Sequence, residues 1–277
     1  MSTPKVAVLG GGVMGETVAV AVLAAGWEAG SVTVAEPRAE RRTELTDRHG
    51  LATAETATAA VAGAGVVVVA VKPNQVGAVL EEVAAAMEAD VVVVTVAAGL
   101  PAYFYESRLP EGTPVVRVMP NTPAVIGQGA SAVAPGAHAG DDHVALAEKL
   151  LASTGLVVRV AEKDLDAVTA VSGSGPAYVF YVIDAMAEAG VLLGLSRELS
   201  TQLAVATVEG AAALVAQTGE HPAVLRERVS SPGGTTVAAL QVLDEHGVRA
   251  GILAAAERCR DRSLEMGADA AGGPGAS

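Results

Sequence analysis

The chain has 277 residues, enough for two domains, and a net charge of −13, which argues against nucleic acid or an anionic membrane as a partner. Its one cysteine, Cys259, excludes an internal disulfide, and 51% hydrophobic residues with 3% aromatics require a core built from Ala, Val and Leu. Residues 1–5 run straight into a strand-like segment rather than a charged-then-apolar leader, which predicts a cytoplasmic protein. The apolar runs at 66–71 and 91–98 are too short to span a bilayer and read as buried parallel strands.

The first β-type run, Val6-Ala7-Val8-Leu9, passes directly into Gly10-Gly11-Gly12-Val13-Met14-Gly15 and then an Ala-rich helical stretch. Strand, G-x-G-x-x-G, helix is the dinucleotide-binding arrangement. Gly10 makes the tight turn, Gly12 lets the pyrophosphate approach, and Gly15 lets the helix pack on the strand. A second strand at 32–35 ends in Glu36, at the distance expected for the acidic residue that bonds the adenosine ribose of NAD. Arg38, Arg41 and Arg42 follow at once. They suit the 2′-phosphate of NADP, or form the solvated first turns of a helix. The two signals leave NADPH against NADH open.

Alternation of helix and strand continues, with helices at 55–62 and 75–87 and strands at 66–71 and 91–96. Val71-Lys72-Pro73 leaves a strand at its C-terminal end, where open α/β sheets bind ligands. Lys72 there either faces the cofactor or is a surface lysine before a proline turn. Ala97 is a small residue after the next strand and suits close cofactor approach. Met119-Pro120-Asn121-Thr122-Pro123 follows a strand at 115–118, and Asn121 contacts nicotinamide or substrate, or bonds its own turn. Strands at 130–133 and 157–160 with a helix at 141–151 complete residues 1–161 as a Rossmann-type dinucleotide-binding domain.

No strand pattern follows residue 161. Residues 162–267 read as an all-α domain, and 268–277, rich in Gly, Ala and Ser, as a disordered tail. Val171-Ser172-Gly173-Ser174-Gly175-Pro176-Ala177-Tyr178 places small residues and a proline at a helix start, with Ser172 or Ser174 as the cap. The helix beyond it, 177–195, is apolar on nearly every face, so a second copy of the chain is expected to bury it in an obligate homodimer.

Ser230-Ser231-Pro232-Gly233-Gly234-Thr235-Thr236 is a second helix start, with hydroxyls suited to capping and glycines that allow a small anion close to free N–H groups. It reads as an ordinary cap or as an anion site. No H-E-x-x-H and no metal-ligand spacing occurs in the sequence. His221 precedes a proline and reads as a loop or helix-start residue, and His49, His138, His143 and His246 read as surface residues.

Taken together, the glycine motif, Val71-Lys72-Pro73, Arg117-Val118-Met119-Pro120-Asn121, the 171–178 motif and the 231–236 motif resemble pyrroline-5-carboxylate reductase over essentially the whole chain. The resemblance implies reduction of L-1-pyrroline-5-carboxylate to L-proline with NADPH or NADH. It also implies a helical domain that dimerises and holds substrate, and an assembly of dimers into pentamers. By residue, it implies that Ser231 and the backbone of Gly233, Gly234 and Thr235 hold the substrate carboxylate. Thr236 is then the hydroxyl near the imine nitrogen, and Ser174, Gly175 and Pro176 lie near the nicotinamide and the substrate ring. The resemblance implies a preference for NADPH, but Glu36 departs from the neutral residue common in the family and argues for NADH. The rival readings are a reductase of another cyclic imine, a β-hydroxyacid dehydrogenase, or a non-catalytic NAD(P)-sensing regulator.

Overall fold

The computed structural model describes residues 3–272. Eight strands form one sheet: β1 Val6–Leu9, β2 Val32–Ala35, β3 Ala52–Ala54, β4 Val66–Val69, β5 Val92–Thr95, β6 Val115–Met119, β7 Gly129–Pro135 and β8 Gly155–Arg159. Their order is β3-β2-β1-β4-β5-β6-β7-β8, with every pair from β3 to β6 parallel. That order reverses between β1 and β4, the crevice where doubly wound sheets bind ligands.

The valine runs build this sheet because both faces are covered. Val6, Val8, Val66, Val68, Val92 and Val94 enter one core cluster, with the helices Val13–Ala24 and Asp141–Leu151. Ala7, Leu9, Val67, Val69, Val91 and Val93 enter the other, with the helix Pro73–Val83. A strand buried on both faces needs no polar alternation. Each such valine contributes roughly 1.5–3 kcal/mol of transfer free energy, set against the entropy of ordering the chain.

Three features depart from expectation. β3 is only Ala-Thr-Ala, too short and too small to leave a sequence signature; it is held at the edge by pairing with β2. β7 runs antiparallel to β6, because the link between them is a short 3-10 turn, Thr122–Ile126, and not a crossover helix. The final helix, Val248–Gly272, carries on through the first residues of the expected tail at 268–277. Ala268, Ala270 and Ala271 are strong helix formers that extend a helix already nucleated. Residues 273–277 lie outside the described residues.

The chain divides into two compact units. The first ends at Ser174 and takes the chain back from Cys259, and the second is Gly175–Arg258. By packing, the first unit runs on to Ser174, because the turns beyond β8 belong to the sheet. Leu165 packs with Ala132 and Ala134 of β7, and Glu162 pairs with Arg117 of β6 at 2.9 Å. The second unit is all α: Gly175–Leu192, Arg197–Thr218, Pro222–Arg228, Thr235–Glu245 and the start of Val248–Gly272. Phe180, Tyr181, Leu192 and Leu193 of this unit are more than half exposed in the single chain. Among the described residues, one helix, Arg197–Thr218, is long and apolar enough to cross a membrane by length and composition.

Candidate active site

The glycine turn is built by steric necessity. Gly10 has φ +106°, and a Cβ there would stand 2.9 Å from the Ala70 carbonyl oxygen. Its N–H donates to the Ala35 carbonyl at 2.9 Å, tying the end of β1 to β2. A Cβ on Gly15 would collide with the Gly10 carbonyl oxygen. Gly12, by contrast, meets nothing within 4 Å and is the N-cap of the helix Val13–Ala24, with no side chain capping it. An uncapped helix start beside a glycine with open space is a cradle that fits a pyrophosphate.

That cradle opens on a cavity of about 670 Å³, where Gly10, Gly11, Gly12, Glu36, Arg38, Val71 and Lys72 come together. Val13, Met14, Gly15, Pro73, Ala97 and Asn121 do not line it. Val13 is exposed on another groove, Met14 packs against the core, and Pro73 is the first residue of its helix. Ala97 is buried in the second core cluster. Lys72 is both exposed and on the cavity wall.

Glu36 is 5% exposed, and its Oε1 accepts from the Arg38 backbone N–H at 3.1 Å and from Arg38 Nε at 2.8 Å. Burial pushes the Glu36 pKa up, but the bonds from Arg38 and the Gly11 backbone outweigh it, and the net shift is downward. Arg42 Nη1 donates to the carbonyls of Glu36 and Pro37 at 2.9 and 2.7 Å.

Sequence reasoning missed the brace behind the turn. Arg41 Nε donates to the Gly11 carbonyl at 2.8 Å, and its Nη2 pairs with Glu16. His49 Nε2 lies 2.8 Å from Glu16 Oε1, so His49 is a partner in this cluster and not a free surface residue. Nothing in the run Arg38 to Arg42 distinguishes an arginine that braces a loop from one that faces solvent. Burial acts to raise the Glu16 pKa, but the bonds from His49 and Arg41 lower it on balance. A depressed folded-state pKa contributes stability that is present above the unfolded value and lost as pH falls through the folded one. Melting temperature should therefore drop as pH falls from about 5 to below 4, and Glu16→Gln should flatten that dependence; equal slopes in a melting series would contradict the assignment.

Asn121 is 9% exposed, and its amide is used over long range. Oδ1 accepts from Ala130 N–H at 2.9 Å and Nδ2 donates to the Ser172 carbonyl at 3.1 Å. It fastens the loop after β6 to β7 and to residue 172, rather than closing its own turn. Residues Thr169–Gly173 form a π-helical turn, a geometry often found at functional sites. A Cβ on Gly173 would collide with Met119. The expected serine cap is absent here. Ser172 Oγ donates to the Val168 carbonyl at 3.1 Å, and Ser174 Oγ lies 3.2 Å from Cys259 Sγ. The helical run needs no cap because the π turn feeds the helix Gly175–Leu192, which includes Gly175 and Pro176, almost without a break.

In the second unit, Gly233 has φ +68° and Gly234 N–H donates to the Ser231 carbonyl at 2.9 Å, closing a tight turn. The N-cap of the helix Thr235–Glu245 is Gly234, and no side chain caps it. The expected Ser or Thr cap is displaced because Thr235 and Thr236 are already helical. Several other hydroxyls of this unit are spent on their own helices: Thr201, Thr207, Thr218 and Ser230 each donate to the carbonyl four residues back, whereas the buried Ser200 hydroxyl has no partner among the described residues. Those of Ser231, Thr235 and Thr236 make no hydrogen bond to any described residue. Three unpartnered hydroxyls thus stand at an uncapped helix start. His221, as expected, begins a helix, accepting from Ala223 N–H at 3.2 Å.

The chain is similar to known proteins over almost its whole length. Residues 162–266 match a family described as pyrroline-5-carboxylate reductase dimerisation, and residues 5–99 match one described as NADP oxidoreductase, coenzyme F420-dependent. The pyrroline-5-carboxylate reductase of Corynebacterium melassecola is 44% identical, over 95% of this chain and 98% of that protein. That of Pseudomonas aeruginosa is 39% identical, over 96% and 98%. Among solved structures, the Coxiella burnetii pyrroline-5-carboxylate reductase superposes with a TM-score of 0.88 at 32% identity, covering 96% of this chain and 99% of that one. A Plasmodium falciparum pyrroline carboxylate reductase solved with NADP bound gives 0.87 at 27% identity, again over 96% and 99%.

Proposed function

This chain belongs to the pyrroline-5-carboxylate reductase family, and we propose that its 231–236 turn holds the substrate while its glycine turn holds the cofactor. The reaction is the reduction of L-1-pyrroline-5-carboxylate to L-proline with NAD(P)H, the last step of proline biosynthesis. The rival readings, another imine or hydroxyacid as substrate or a regulator without turnover, are not favoured. The chain acts on a small molecule and self-associates.

The bound nicotinamide cofactor supplies a hydride to the imine carbon. The chain's residues bind and orient. Gly10, Gly11 and Gly12 with the N–H groups of Val13 and Met14 hold the pyrophosphate, and Glu36 with Arg38 sits at the adenosine ribose. Val71, Lys72 and Pro73, with Ala97 and Asn121, form the strand-end rim. In the second unit, Ser231 and the N–H groups of Gly233 and Thr235 hold the substrate carboxylate, while the Gly234 N–H, given to the Ser231 carbonyl, shapes the turn around it. Ser174, Gly175 and Pro176 flank the nicotinamide and the ring. Thr236 is the one catalytic residue: its hydroxyl meets the imine nitrogen and delivers or retains a proton there, directly or through water. A protonated imine is already a good acceptor, so no strong acid is required.

The observation that carries the reading is the trio of unpartnered hydroxyls, Ser231, Thr235 and Thr236, at the uncapped start of Thr235–Glu245. A small carboxylate satisfies such donors without a cationic side chain. The test is oxidation of cofactor at 340 nm with pyrroline-5-carboxylate. Ser231→Ala should raise the substrate KM roughly tenfold, from ~1.5 kcal/mol of lost charge-assisted hydrogen bonding, with kcat little changed. A loss confined to kcat would remove Ser231 from carboxylate binding.

The self-association proposed is an obligate homodimer in which a second copy covers Phe180, Tyr181, Leu192 and Leu193, with dimers assembling as pentamers into a decamer. Neither nucleic acid nor membrane is a partner in this reading, and the protein is cytoplasmic. The net charge of −13 and a lone free cysteine support it. Arg197–Thr218 carries Arg197, Glu198 and Glu209, which suits burial against protein better than lipid.

A further inference from the structure

We infer that Glu36 makes this chain prefer NADH to NADPH; the inference rests on the cofactor site proposed above. The carboxylate stands at the end of β2 on the wall of the cavity that the glycine turn opens into. It is 5% exposed, so its charge is weakly screened. Its Oε1 is occupied by Arg38, Oε2 faces Arg38 Nη2 at 3.4 Å, and the Gly11 backbone also bonds the carboxylate; with about four lone-pair sites in all, it keeps capacity to accept from a ribose hydroxyl.

NADPH would bring a phosphate with close to two negative charges (about −2 at neutral pH) to the same place. The arginines that would have to compensate are already committed. Arg38 is paired with Glu36 at 2.8 Å. Arg41 is held by Glu16, Glu44 and the Gly11 carbonyl. Arg42 donates to the carbonyls of Glu36 and Pro37 and lies 3.7 Å from Glu55. Of the other charged residues on the cavity wall, Lys72 is the one further cation and is outnumbered by the carboxylates of Glu55 and Glu82. Arg38 turned to the phosphate would have to share its charge with Glu36 or leave it, and in either case the buried carboxylate stays beside a dianion. A ribose diol asks for neither change. It donates hydrogen bonds to a carboxylate that is already in place.

The test compares binding and turnover in the full-length protein. Dissociation constants for NADH and NADPH, by calorimetry or cofactor fluorescence, should favour NADH by about tenfold or more, the factor that ~1.4 kcal/mol of charge repulsion produces. The ratio of kcat/KM values with pyrroline-5-carboxylate should follow. Glu36→Ser should move the binding ratio at least tenfold towards NADPH by releasing Arg38, and Arg38→Ala added to that variant should remove the gain. Glu36→Gln keeps the shape of the side chain, serves if the serine variant does not fold, and should move the ratio in the same direction. Wild-type protein that binds NADPH as tightly as NADH, or folded Glu36 variants with an unchanged ratio, would overturn the inference. Lack of turnover with either cofactor would overturn the reaction assigned above, and the binding ratio would still decide the part of Glu36.

Discussion

Gly15→Ala should lower the melting temperature by roughly 6–12 °C and abolish measurable binding of either cofactor, by the ~3 kcal/mol or more that overpacking a tight contact costs. The added methyl would collide with the Gly10 carbonyl oxygen, so β1, the turn and the helix Val13–Ala24 cannot keep their spacing. Relief requires the helix to move away from the strand, which withdraws the N–H groups that cradle the pyrophosphate. Gly12→Ala is the control. Gly12 has φ −70° and ψ −175°, which any residue adopts, and nothing lies within 4 Å of its Cβ position. Its melting temperature should therefore stay within about 2 °C of wild type, while cofactor affinity falls about tenfold or more because the methyl fills the phosphate's space. Calorimetry and a binding titration on both variants check this. Equal melting losses in the two would mean that the packing role of Gly15 and the ligand role of Gly12 have been confused.

Thr236→Ala should slow hydride transfer by about tenfold to a thousandfold, the range for loss of one positioned donor or acid. Its hydroxyl has no partner among the described residues, and the residue lies in the first turn of Thr235–Glu245. Truncation breaks no hydrogen bond within the fold, so stability should change by no more than about 0.5 kcal/mol. The loss should fall on kcat, with an increased isotope effect when the cofactor carries deuterium. Thr236→Ser, which keeps the hydroxyl, should recover much of the rate. Unchanged kinetics in the alanine variant would take Thr236 out of the chemistry.

Much of the fold is legible because its strands are unusual. Runs such as Val66–Val69 are apolar at every position, and only a sheet covered on both faces accommodates that. The glycine turn is legible for a similar reason: Gly10 and Gly15 answer separate steric demands that few other residues meet, and Gly12 leaves open space at the helix start. β3 is not legible, since Ala-Thr-Ala has no pattern and exists only by pairing with β2. The reversal of β7 depends on the length of a link and not on the composition of a strand. The cofactor cavity is only partly legible. Glu36 follows from its position, but the commitment of Arg38, Arg41 and Arg42 is a matter of three-dimensional partners, and their sequence reads simply as a basic helix start. Asn121 illustrates the same limit, because its partners lie 9 and 51 residues away. At 231–236 the residues are right for a cap and for an anion site alike. In the fold Gly234 is the cap residue and no side chain caps the helix, which is the arrangement the proposed anion site builds on.

The role of that turn can be isolated by removing the group it is proposed to hold. Steady-state kcat/KM should be measured for pyrroline-5-carboxylate and for 1-pyrroline, the same cyclic imine without the carboxylate, in wild type and in Ser231→Ala. Wild type should favour the carboxylated substrate by about a hundredfold or more, from two charge-assisted hydrogen bonds at ~1.5 kcal/mol each. Ser231→Ala should narrow that gap by slowing only the carboxylated substrate. Equal kcat/KM for the two imines in wild type, or a Ser231→Ala loss shared equally by both, would contradict the 231–236 turn as the carboxylate site.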